Sequence, residues 1–136
     1  MSCEVTQAFF TKGNGNNQVY IGTEWARTMS VTIDGQSRVY DDITLAGTIY
    51  AQDEDGNPLE ISLTEQVDTS TTGIYKVPAV SPAVDITEWT LTLIVADTSL
   101  VKPGIYSFVV YGTPLDGKKY VEINGCMEFS DPADCS

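Results

Sequence analysis

Between residues 24 and 129, apolar and polar side chains alternate in short runs, and no apolar i, i+3, i+4, i+7 series lasts beyond about two turns. Period-2 alternation marks strands with one buried face, because successive side chains in a strand point to opposite sides. Residues 24–34 put Trp25, Arg27, Met29, Val31 and Ile33 on one face, with Arg27 as the exception to its apolar character. Residues 45–52 turn Leu45, Gly47, Ile49 and Ala51 the same way, and residues 59–67 return with Leu59, Ile61 and Leu63 inward. A short strand over 73–77 follows, then a core strand over 89–95 with Trp89, Leu91, Leu93 and Val95 in phase. Residues 105–111 and 119–129 close the series. Ahead of it, residues 4–10 read as an edge or capping strand and residues 18–22 as another extended piece.

The intervening segments carry turn chemistry. Residues 11–17 form a Gly/Asn-rich loop whose members tolerate positive φ. Asp34-Gly35 ends a strand, residues 53–58 make a hairpin loop, and Pro114-Leu115-Asp116-Gly117 is the clearest hairpin turn. Pro78 and Pro82 bracket a connection outside any sheet, since proline cannot donate to a ladder. Residues 97–102 predict a single helical or 3₁₀ turn, closed by Pro103-Gly104, and residues 130–136 a loose acidic tail. Many short strands at regular spacing, rich in Val, Ile, Thr, Tyr and Phe, predict an all-β antiparallel sandwich with little helix.

Length and charge narrow the function. A chain of 136 residues with 42% hydrophobic and 19% charged residues is expected to be one globular domain. No run approaches the ~20 apolar residues of a membrane span, so no membrane partner is expected. Residues 1–5 lack a basic and apolar export signal, which predicts synthesis and use in the cytoplasm. Seven Lys and Arg against 19 Asp and Glu give a net charge of −12, which argues against binding nucleic acid, itself a polyanion. The acidity is read as solubility and repulsion between free subunits.

Chemistry is sparse. The chain has no histidine, the commonest general base, and no nucleophile elbow, P-loop or dinucleotide fingerprint. Asp41-Asp42 and Asp53-Glu54-Asp55 read as solvated turns; counted from Asp53, a calcium loop would need Gly and Glu where Pro58 and Thr64 stand. No enzyme, cofactor or metal is expected. Cys3, Cys126 and Cys135 are an odd set whose pairing stays open, with Cys126 in an apolar context suited to a small core residue. Trp25 and Trp89 are in phase with core positions, whereas Tyr20, Tyr40 and Tyr50 fall outside the clear core stripes. With Phe9 and Phe10 they make five candidate partner-docking residues. The run Ala8-Phe9-Phe10 suits either the first strand of the sandwich or an arm that adds a strand to a neighbour's edge.

From Val31 onward the turns follow a particular order. It runs through Leu45-Ala46-Gly47, Asp55-Gly56-Asn57-Pro58-Leu59 and Thr72-Gly73-Ile74-Tyr75-Lys76-Val77, then Leu91-Thr92-Leu93 and Asp97-Thr98-Ser99 to Pro103-Gly104-Ile105-Tyr106. Asp116-Gly117-Lys118-Lys119-Tyr120-Val121 and Gly125-Cys126-Met127-Glu128-Phe129 complete it. This order resembles the immunoglobulin-like domain at the N-terminus of phage baseplate upper proteins and of short phage structural proteins. The resemblance covers residues 31–132, leaving 1–30 as an N-terminal extension or first strands and 133–136 as a tail. It departs from the pattern at Ala46, where the family has Thr, and in a long insertion over 70–87. It implies an immunoglobulin-like sandwich in a virion assembled in the host cytoplasm. There the domain would dock on other virion structural proteins of the capsid, neck or tail/baseplate, as a homo-oligomer or in many copies on a symmetric assembly. A capsid decoration (cement) role belongs to the same expectation. The alternative is a carbohydrate- or receptor-binding sandwich module.

Overall fold

A computed structural model of the chain describes residues 6–33, 35–67, 70–76 and 85–133. In chain order its elements are β1 (Thr6–Phe10), β2 (Val19–Tyr20), β3 (Trp25–Met29), β4 (Thr32–Ile33), β5 (Gln36–Ser37) and β6 (Thr44–Gln52). They continue with β7 (Pro58–Thr64), β8 (Gly73–Lys76), β9 (Trp89–Leu93), the helical turn α1 (Val95–Thr98), β10 (Gly104–Thr113) and β11 (Tyr120–Ser130). The fold is all-β, with two packed sheets. The large sheet has the order β1-β11-β10-β6-β7, with β2 also on β11; the small sheet is β3-β9-β8; β4 and β5 form a separate hairpin. Pairing is antiparallel except where β1 and β2 run parallel to β11.

Alternation decides which face is buried. The large sheet turns Ile49, Leu63, Phe108, Val110, Ile123, Met127 and Phe129 inward, and the small sheet supplies Trp25, Ile74, Trp89, Leu91 and Leu93. Each large apolar side chain so buried contributes about 1.5–3 kcal/mol. Arg27 keeps its place in the β3 phase by laying its guanidinium 5.0 Å from the centroid of the Trp25 ring, so the exception is a cation–π lid on the core's edge.

Two local devices shape the large sheet. In β11, Ile123 pairs with Val110 and Val121 with Tyr111, leaving Glu122 unpaired as a bulge. Glu122 thereby turns inward beside Ile123, and its buried carboxylate takes Nε and Nη2 of Arg38 at 2.7 and 2.6 Å. The second device is at Gly125, where any Cβ would fall on the Ala8 carbonyl oxygen; only glycine lets β1 lie against β11 there. Along the other side the sheets are tied together. Glu65 bridges to Ile74, the Gln66 N–H donates to the Ile74 carbonyl at 2.9 Å, and Lys76 Nζ pairs with Glu65 at 3.2 Å.

Several expectations are corrected. The extended run over 24–34 is broken: β3 ends at Met29 because β9, its partner, begins at Trp89, and the Val31 carbonyl accepts from Arg38 N–H instead. Val95 is half-exposed, because the chain has left β9 for α1 and the strand's alternation no longer applies. Thr92 is buried although it lies out of phase with the core stripe, because β9 is the central strand, flanked by β3 and β8.

Candidate functional site

The outer face of the large sheet is where exposed aromatic side chains gather. Phe9 pairs with Cys126, Cys126 with Ser107, and Ser107 with Tyr50, so these four residues form one row across β1, β11, β10 and β6. Phe9 and Tyr50 are 44% and 46% exposed at the two ends of the row. Between them the small Cys126 and Ser107 leave a trough along the strands, floored further along by Val109, Asn124 and Gly125. Its volume is about 440 Å³. Tyr111 and Val121 close it toward the 114–119 hairpin, and the Lys119 ammonium sits 4.2 Å from the centroid of the Tyr111 ring. Beyond the other end of the trough, Ile105 of β10 and Tyr20 of β2 add exposed apolar surface to the same face.

The five candidate docking residues divide by strand phase. Phe9, Tyr20 and Tyr50 lie on the outer face. Phe10 does not: its neighbour across β11 is the buried Met127, and its ring packs edge-on against Trp25 at 5.0 Å and beside Phe108 at 5.6 Å. Tyr40 is fully buried, its ring edge-on to Trp89 at 6.4 Å, in an irregular segment where strand periodicity gives no reading. Burial raises the pKa of Tyr40 above the ordinary phenol value and Glu122 adds to this, while the Trp89 indole N–H and the Arg38 guanidinium partly oppose it. Neither the Tyr40 hydroxyl nor the Trp89 N–H has a hydrogen-bond partner of good geometry. Cys126 is not in the core either; it is a half-buried free thiol on the trough floor. Cys3 and Cys135 lie outside the described residues.

Sequence reasoning missed Asn124, Ser107 and Tyr111. The signal was present in the alternation of residues 105–111, which turns Ile105, Ser107, Val109 and Tyr111 to one side, opposite the buried Phe108 and Val110. Asn124 on the floor has a buried side-chain oxygen without a partner.

The acidic turns are held by hydrogen bonds from backbone N–H groups, local at Asp53 and long-range at Asp41. Asp53 Oδ1 accepts the N–H groups of Asp55 and Asn57, and Asp41 Oδ2 accepts that of Ile86. Among the described residues, no three Cys, Asp or Glu side chains are grouped to hold a metal ion. No protein-family model matches the chain, and no curated protein matches it.

Proposed function

We propose that the chain is a non-catalytic, immunoglobulin-like structural subunit of a bacteriophage virion, docked in many copies on other capsid, neck or tail/baseplate subunits. The observation that carries this reading is the corner at the start of β10. The Tyr106 hydroxyl donates to the Lys102 carbonyl at 2.6 Å, four residues upstream, as in the tyrosine corner of immunoglobulin-like sandwiches. Tyr106 belongs to the Pro103-Gly104-Ile105-Tyr106 lead-in on which the resemblance to phage structural domains also rests. Strand order supports the same reading: β3-β9-β8 matches strands B, E and D, and β11-β10-β6-β7 matches G, F, C and C′. The departure is β1, which pairs with the last strand rather than with β3. Among the described residues no strand covers the far edge of β1, and an uncovered edge can take a neighbouring subunit by backbone pairing. Mass spectrometry of purified particles tests the proposal. The chain should appear at a fixed copy number matching a symmetry of the head or tail, and its absence from particles would refute the role.

A second reading, a carbohydrate- or receptor-binding module, is favoured by the aromatic-walled trough. A glycan array on the isolated domain separates it from a purely structural role.

A further inference from the structure

We infer that the trough on the outer face of the large sheet binds a neutral glycan chain; this deepens the binding-module reading and stands apart from the virion assignment. Phe9 and Tyr50 are three strand spacings apart along one row, roughly 14 Å between backbones, with only Ser107 and Cys126 between them. Two exposed rings flanking a floor of small side chains offer apolar faces to the C–H faces of sugar rings. The volume of about 440 Å³ falls in the range of small-ligand sites, ~300–1,000 Å³. Polar groups converge on the same space: Gln7 and Asn124 face it from β1 and β11 beside Ser107. The Asn124 side-chain oxygen has no hydrogen-bond partner but is covered from solvent, so a sugar hydroxyl reaches it only after a rotation of the amide that exposes it.

Charge selects the class of ligand. No residue lining the trough is charged, in a protein of net charge −12. Acidic polysaccharides meet the repulsion of a net charge of −12, which the single Lys119 beside the Tyr111 ring at one end of the trough does not offset, and a second copy of the chain meets the same repulsion. A peptide added as a strand needs a free backbone edge. The floor strands β10 and β11 have none here, because each is paired on both sides. What remains is an uncharged ligand that alternates apolar faces with hydroxyl groups.

The test uses the whole chain and a panel of neutral hexose and N-acetylhexosamine oligosaccharides, with uronic-acid and sulfated oligosaccharides alongside, read by calorimetry. At least one neutral oligosaccharide should bind. Phe9→Ala and Tyr50→Ala should each weaken it about tenfold, and Asn124→Ala should weaken it as well. Leu100→Ala, at an exposed apolar residue that lines no part of the trough, should leave it unchanged, and melting curves should show all four variants folded. Binding of acidic oligosaccharides alone, of no oligosaccharide at millimolar concentration, or binding that survives both aromatic substitutions would overturn the inference. So would a Tyr50→Ala variant that keeps its fold but no longer joins particles, because the trough would then be a subunit contact. Absence of the wild-type chain from particles would refute the virion assignment and leave this site standing.

Discussion

At the scale of single residues, β9 carries the sharpest test of the core. Trp89 and Leu93 are fully buried, so Trp89→Ala and Leu93→Ala should each destabilise by about 2–5 kcal/mol in chemical unfolding. Thr90 faces away from the core and shares a hydrogen bond with Thr28 across the small sheet at 2.8 Å, so Thr90→Ala should cost less than about 1 kcal/mol. Thr92→Ala should fall between them, because Thr92 is buried on that same outer side. Tyr40 gives a pH test. Its folded pKa is raised above the ordinary value of 10.0, so the unfolded chain ionises first as pH rises. The stability this group contributes is fully present below pH 10 and is lost as pH climbs through the folded pKa. Tyr40→Phe should be close to neutral at pH 7, since the hydroxyl it removes has no partner, and should flatten the alkaline fall in stability. An unchanged alkaline limb would mean that Tyr106, whose pKa burial also raises, or other tyrosines carry it.

At the scale of elements, β1 is the informative case. The sequence allowed residues 4–10 to be an arm for a neighbour or the first strand, and residues 6–10 fill a place in this chain's own large sheet. Alternation alone could not separate these, because Phe9 and Phe10 are adjacent and equally apolar; the register against β11 is what sends one outward and the other under Trp25. Gly125→Ala should therefore prise β1 from β11, seen as faster amide exchange across 6–10 and a lower melting temperature. Deleting residues 1–16 should destabilise the whole domain, because Phe10 leaves Trp25 and Phe108 without their ring neighbour. A truncated chain with wild-type stability would show that β1 adds nothing to the fold and is free to serve as an arm. Elements with strict alternation, β6, β7 and β10, were legible at once. The 38–43 segment was not: Tyr40 is buried there by the Tyr40 N–H to Ile86 carbonyl bond and by packing on Trp89, relations between distant parts of the chain that leave no periodic trace.

At the scale of the molecule, the sandwich and its hairpins could be read from turn chemistry, while the trough could not. Its walls come from β1 and β6, more than thirty residues apart in sequence, and meet only through the order β1-β11-β10-β6. The whole-molecule property that was legible is charge, and it makes the last prediction. A net charge of −12 works against the compact state by self-repulsion, and salt screens it over about 10 Å at 0.1 M. Among the described residues two ion pairs oppose that trend: Lys76–Glu65, partly exposed and worth about 0–1 kcal/mol, and Arg38–Glu122, whose Glu122 side chain is only 4% exposed and which salt screens far less. Repulsion spread over 19 acids should outweigh the weakening of one partly exposed pair. The melting temperature should therefore rise as salt increases from about 10 mM to about 150 mM, with most of the gain coming within the first Debye lengths' reduction. Charge-neutralising substitutions at Asp53, Glu54 and Asp55 should reproduce part of that rise at low salt and shrink the remaining salt response. A melting temperature that falls with salt would mean that the two sheets depend on their ion pairs more than the surface suffers from its charge. In that case Lys76→Met, which cuts the tie to Glu65, should cost far more at low salt than at high salt.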